Sequence, residues 1–215
     1  SNLNPYLVFE SSTGTILRFG DNFQPEQLNF TGKHRCYMGE CWKQDMIGKI
    51  VYATGEYMNL EGKNIIDIDE SIPIVRLCMT PYDKRAFGVI SDIEESSQRC
   101  FRLGHLEMIM KKVDKNVRVI INSVGEGGIW VCNANGNIMN GDLITCSHLP
   151  GFGMKQEDDF VHSYTIAKVT CNCNFDTMNK NENKKNECTW SPIVKELLHE
   201  NKIYKIAFVG CVYKF

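Results

Sequence analysis

The sequence predicts a mainly β fold: an antiparallel, hairpin-rich β-barrel or sandwich with at most one short helix near the C-terminus. Three observations predict it. Apolar runs of four to six residues recur along the chain, each closed by turn residues, and that length favours strands over helices. The Gly- and Asn-punctuated stretch Val119 to Gly153 crowds tight turns together and leaves no room for a helix. The composition, 43% hydrophobic and 23% charged over 215 residues, is globular and can bury a core.

The elements follow in order. Tyr6-Leu7-Val8-Phe9 and Thr15-Ile16-Leu17-Arg18-Phe19 flank a Gly-containing polar loop and read as a hairpin. Gly48 to Tyr52 is a strand, and Gly55 to Asn64 is polar and turn-rich. Pro73 to Cys78 and Ala86 to Ile90 are buried-strand candidates, and Glu94 to Arg99 is a polar surface loop. Leu106 to Met110 and Val117 to Ile121 flank the charged turn Lys111 to Asn116. They read as a hairpin rather than a helix, since Gly104 weakens the helical alternative.

Gly125-Glu126-Gly127-Gly128 then leads into Ile129-Trp130-Val131-Cys132. Asn135-Gly136 and Asn140-Gly141 are hairpin signals, because a type I′ turn needs positive φ at both central residues. Leu143 to Thr145 and Tyr164 to Val169 are strands. Asp176 to Glu187 is almost wholly Asn, Lys and Glu and reads as a mobile loop. Ser191-Pro192, followed by Ile193, Val194, Leu197 and Leu198, fits a short helix with Ser at the N-cap and Pro at N1. Ile203 to Tyr213 closes the chain as a strand. The organisation expected is an N-terminal hairpin segment, 1–33, and a compact β domain, 34–215, carrying a mobile loop at 176–189.

The bulk numbers narrow function by exclusion. A net charge of −2 argues against a phosphate-backbone binder, so no nucleic-acid partner is expected. No apolar run approaches the roughly 18–20 residues of a membrane span, so no membrane partner is expected. Ser1 to Pro5 has neither the basic nor the apolar part of a signal peptide. Opening on Ser1 and stopping at Phe215 just after a strand, the chain reads as a piece of a longer polypeptide. Its ten cysteines sit partly inside apolar runs, Cys78 and Cys211 among them, which favours buried free thiols in a reducing setting over a disulfide framework.

No complete active site is readable. His34, Cys36 and Cys41, and separately Cys171 and Cys173, offer soft metal ligands. Neither group supplies four locally, so packing is the preferred reading over zinc. Ser147 and His148 are adjacent, which on an extended chain sends them to opposite faces. His162 and Asp159 are near only along the chain. The carboxylates Asp67/Asp69/Glu70, Asp92/Glu94/Glu95 and Glu157/Asp158/Asp159 read as loop solubility, with calcium ligation or acid–base chemistry the sharper alternative. Gly151-Phe152-Gly153 lacks the following helix a phosphate cradle needs. Trp42, Trp130 and Trp190 read as core or interface anchors, a sugar-stacking surface being the alternative. Asn29-Phe30-Thr31 fits a glycosylation acceptor. No catalytic, cofactor-binding or metal-binding residue is assigned.

Three stretches carry a resemblance: Phe30 to Cys36; Ile47 to Val51 through Phe87 to Asp92; and Asn122 to Val131 through Asn140 to Thr145. Their order resembles the autoproteolytic intramolecular-chaperone domain at the C-terminus of tail-spike, neck-appendage and fibre-type proteins of phages and large DNA viruses. The resemblance runs from Phe30 to Val169, with Ala207 to Cys211 added. It implies a viral structural protein whose terminal domain trimerises and guides its own upstream stalk, with release by self-cleavage and location in the virion or host cytoplasm. The partners implied are two further copies of the chain and that stalk. The family's cleaving residues do not map onto this sequence. The alternatives are a glycan- or partner-binding module at a fibre tip, and a self-acting peptidase using an acidic loop.

Overall fold

The computed structural model describes residues 7–10, 16–19, 33–58, 66, 71–93, 98–103, 106–111, 117–176 and 191–213. In chain order the strands begin with β1 (Leu7–Glu10), β2 (Ile16–Phe19), β3 (Lys33–Met38), β4 (Ile50–Met58) and β5 (Ile72–Leu77). Next are β6 (Ala86–Ile93), β7 (Gln98–Leu103), β8 (Leu106–Lys111), β9 (Arg118–Asn122) and β10 (Gly125–Cys132). The last are β11 (Leu143–Cys146), β12 (Gly153–Lys155), β13 (Ala167–Val169), β14 (Lys195–His199) and β15 (Lys202–Tyr213). The fold is mainly β. Among the described residues the only helical turns are short 3₁₀ segments at Gln44–Met46 and Asn133–Asn135. No helix among them is long and apolar enough to cross a membrane.

The chain divides into two compact units, 1–30 with 97–112 and 31–96 with 113–215. In the first, β1 pairs antiparallel with β2, and β7 with β8. The hairpin read over Tyr6 to Phe19 therefore forms. The one read between Leu106–Met110 and Val117–Ile121 does not. Strand β8 pairs with β7, whose residues Gln98–Leu103 begin inside the stretch read as a polar loop. Strand β9 pairs with β3 and β6, where Val119 and Ile121 are buried in the barrel core.

The second unit holds two ring-like arrangements. Strands β3-β5-β4-β6-β9 close a five-stranded barrel. Strands β10-β12-β11-β13-β15 pair in sequence and β15 returns to β10, while β14 pairs, among the described residues, with β15 alone. Two of the pairings, β3–β5 and β10–β12, are parallel.

The two arrangements share a wall, and side-chain alternation builds it. Successive residues of a strand point to opposite faces. In β4, Ile50 enters the ring's core and Val51 the barrel's; in β6, Val89 and Ile90 divide the same way. Both faces of these strands are buried, which is why the sequence runs there are continuously apolar instead of alternating. Each strand absorbs a bulge, between Val51 and Tyr52 and between Ile90 and Asp92, where the closing sheet bends.

Three further sequence expectations change. The short helix over Ser191 to Leu198 is not there: 191–194 have no regular structure and Lys195–His199 is strand β14, paired with β15 along its whole length. So short a helix is marginal alone, and the open edge of β15 offers its backbone a ladder of hydrogen bonds instead. The Asn-Gly pairs do not make type I′ hairpins. Gly136 and Gly141 take φ of 84° and 98°, but positive φ at a described non-glycine occurs only at Tyr82, Glu200 and Asn201. The tight two-residue hairpin is instead Glu200-Asn201, with φ of 48° and 62°, joining β14 to β15. Finally, Gly55 to Met58 belongs to β4, and of Tyr164 to Val169 only Ala167–Val169 is strand. The mobile loop expected at 176–189 lies outside the described residues from 177 onward.

Candidate functional site

The β14–β15 hairpin has two unlike faces. Register places Lys195 opposite Ile206, Leu197 opposite Tyr204 and His199 opposite Lys202 on one face. Glu196 opposite Lys205, and Leu198 opposite Ile203, make the other. The first face turns toward a small core of Cys132, Leu149, Phe152, Met154, Tyr204 and Ile206. The second is open: Leu198 is 70% exposed and Ile203 60%.

Beside the first face lies a cavity of about 400 Å³. Its apolar lining comes from Trp130, Phe152, Pro150, Leu197 and Ile206, and its polar groups are Asp45, Lys49, Lys195 and His199. Trp130 sits opposite Phe208 across the β10–β15 pair, ring centroids 5.3 Å apart, and meets Phe152 edge-on at 6.2 Å. Two hydrogen bonds fix it: its backbone N–H donates to the Gly48 carbonyl and its indole Nε1–H to the Ile47 carbonyl, both at 3.0 Å.

Two glycines make room for these aromatics. Gly48 has φ of +83°, and a Cβ there would meet the Phe208 and Trp130 rings at 2.7 and 2.8 Å. At Gly128 a Cβ would collide with the Phe208 ring. The run Gly125 to Gly128 thus serves aromatic packing as well as turning the chain.

The rim is charged. Lys49 Nζ lies 3.0 Å from Asp45 Oδ2 and 5.3 Å from the Phe152 ring centroid. That hydrogen bond to Lys49 holds the Asp45 carboxyl below its ordinary range. Lys195 Nζ stands 5.9 Å over Trp130, and among the described residues no carboxylate pairs with it.

The residues singled out from the sequence are scattered. Ser147 is buried and its hydroxyl donates to the Phe152 carbonyl at 2.7 Å, while His148 Nε2 lies 2.8 Å from the Tyr204 hydroxyl. Ser147 is therefore a turn-forming serine. His162 Nε2 is 3.0 Å from Asp158, not Asp159, and its ring stacks on Tyr164 at 4.6 Å. Asp158 is held by Gln156 and the Phe160 N–H, and the latter leads in lowering its pKa. The acidic loop is thus tied by its own hydrogen bonds. Asp92 caps the Ile93 N–H; Asp67, Asp69, Glu70, Glu94 and Glu95 lie outside the described residues, as do Asn29 and Trp190.

His34 contacts the Ser123 hydroxyl at 2.9 Å, Cys36 is buried in the barrel and Cys41 is exposed. Burial pushes the Cys36 thiol up to about 12. Cys173 is buried with its pKa raised to about 11, and Cys171 packs on the same core. Trp42 packs against the barrel core. Gly151 carries φ of +77° and bonds Ile50 and Cys78, so Gly151-Phe152-Gly153 is a joint between the rings with Phe152 as a pocket wall.

The sequence reading found Trp130 and missed Asp45, Lys49, Lys195 and His199. A signal did exist: Lys195, Leu197 and His199 alternate with Glu196 and Leu198 at period two. No protein-family model, curated protein or solved structure matches this chain.

Proposed function

We propose that this chain is an assembly domain of a fibre-type structural protein, associating as a homotrimer to bring its upstream stalks into register. The observation that carries the reading is the outer face of the β14–β15 hairpin, where Leu198 and Ile203 lie directly opposite each other, 70% and 60% exposed. Strand β14 pairs on one side only among the described residues. Protein sheets ordinarily protect such an edge with inward charges, bulges or a covering element. Here an apolar pair stands beside it, flanked by Glu196 and Lys205 of opposite sign, which suits a partner surface built from the same hairpin.

The fibre context is supported by the order of the three sequence stretches described above, whose described residues contribute to β3, β4, β6, β10 and β11. A compact knob of this kind lowers the entropic cost of aligning long β chains, because the chain ends are already held together. Size-exclusion chromatography with light scattering at micromolar concentration tests the proposal. A trimer is expected, and the double substitution Leu198→Glu/Ile203→Glu should yield a monomer with unchanged circular dichroism. A strictly monomeric wild type, or a trimer indifferent to both charges, would refute it.

A further inference from the structure

We propose that the Trp130 pocket binds an acidic saccharide, a pyranose ring bearing a carboxylate. The inference is independent of trimer assembly, because the pocket and the Leu198/Ile203 pair occupy opposite faces of the hairpin.

Size comes first. The cavity, about 400 Å³, falls within the roughly 300–1,000 Å³ of small-molecule sites and suits one or two sugar rings. Its walls choose the shape. Trp130 and Phe152 present ring surface, and the indole N–H of Trp130 is already used on the Ile47 carbonyl, so what it offers a ligand is its apolar face. A pyranose has the matching form: a flat C–H face to lie on an aromatic wall and hydroxyls that turn toward the rim.

The rim chooses the charge. Asp45 neutralises Lys49 at 3.0 Å, and its remaining lone pairs are acceptors for sugar hydroxyls. Lys195 stands over the Trp130 ring without a carboxylate partner among the described residues. It is therefore the cation left to meet a ligand anion, in a charge-assisted hydrogen bond stronger than a neutral one. A ring acid without hydroxyls would leave Asp45 facing a carbon surface, and a neutral sugar would leave Lys195 unmatched. A carboxylated sugar satisfies both groups.

Three probes separate these possibilities: methyl β-D-glucuronide, methyl β-D-glucoside and cyclohexanecarboxylate, each followed by saturation-transfer NMR and calorimetric titration of the full chain. The glucuronide should bind about tenfold more tightly than either of the others, the worth of one charge-assisted contact. Replacing the exposed Lys195 by Glu should abolish that preference and leave the weak glucoside signal in place. Trp130→Ala is a poorer variant because Trp130 also anchors the turn at Ile47-Gly48. Equal binding of glucoside and glucuronide overturns the anion requirement, and equal binding of cyclohexanecarboxylate overturns the sugar. Absence of glucuronide binding at millimolar concentration, or binding that Lys195→Glu does not weaken, overturns the site itself.

Discussion

The five-stranded barrel and the ring of β10 to β15 lie side by side in one unit and share the wall of β4 and β6, yet they end differently. The barrel closes on itself through β3–β9, and among the described residues each of its strands is paired on both sides. The ring also returns to its start, but β15 is 12 residues long and overshoots. Its first half has no partner within the ring on one side, and β14 is added there as an outrigger. Both candidate surfaces belong to that overshoot: the Trp130 pocket on its inner face and the Leu198/Ile203 pair on its outer one. Closure removes backbone edges, and where the closure of the ring is incomplete a partner or ligand has something to bind.

The largest way to break the comparison is at the shared wall. Ile50 is fully buried; it starts a barrel strand but fills the ring's core, and its backbone bonds Gly151 and Cys78. Ile50→Ala should cost about 2–5 kcal/mol, the range for truncating a fully buried large aliphatic side chain. Because the wall serves both cores, urea denaturation of wild type and variant should each show one cooperative transition. Two separated transitions would mean that barrel and ring are independent after all.

A second test lies where the end of β5 meets β11. Asp83 is buried, accepts from Arg85 Nε at 3.0 Å and NH2 at 2.8 Å, and also takes the Arg85 backbone N–H at 2.9 Å. Cys78 points at the same carboxylate, and the neighbouring Cys78 thiol together with burial holds the Cys146 thiol well above its ordinary range. The hydrogen bond from Arg85, ahead of the backbone N–H and Cys78, lowers the Asp83 pKa below 3.8. A depressed carboxylate stabilises the fold above its unfolded pKa, and that stability is lost as pH falls through the folded value. Asp83→Asn should therefore cost about 1.5–3 kcal/mol at neutral pH, the worth of hydrogen bonds to a charged group. The difference from wild type should vanish as pH drops below 3.8 toward 2, measured by thermal unfolding. A gap that persists at pH 2 would assign the effect to packing.

How much of this was legible in the sequence differs between the two regions. The doubly buried strands β4 and β6 announce themselves, because Ile50-Val51 and Val89-Ile90 are apolar on both faces. The clustering of turns from Val119 to Gly153 likewise gave β structure, though not its turn types: Asn135 and Asn140 keep negative φ, and their glycines alone turn left-handed. The pocket was not legible as a site. Asp45 with Lys49, Trp130, Phe152 and Lys195 come from four segments far apart in the chain. Strand β15 joins Trp130 to Lys195 by pairing with both β10 and β14, and backbone bonds from Trp130 to Gly48 and from Ile50 to Gly151 bring in the other two. Local pattern also misled at Ser191 to Leu198, where an N-cap serine and a following proline imitate a helix start. Tertiary pairing with β15 overrode that preference. The parallel contacts of β3 with β5 and β10 with β12 have no local signature at all.

The smallest effect should have the opposite sign and bears on the outrigger alone. The turn Glu200-Asn201 holds both residues at positive φ, 48° and 62°. That is the type I′ requirement, for which Asn then Gly is the favoured pair, while glutamate in the left-handed region carries a steric cost. Glu200→Asn with Asn201→Gly should then stabilise the protein by about 0.5–1 kcal/mol, the gain from relieved strain less the extra unfolded-state freedom of glycine. Hydrogen exchange should slow at the β14 amides and stay unchanged in the barrel, since only the hairpin's local opening is affected. If barrel amides slow equally, β14 opens only when the whole unit does, and the outrigger is as firmly integrated as the closed strands.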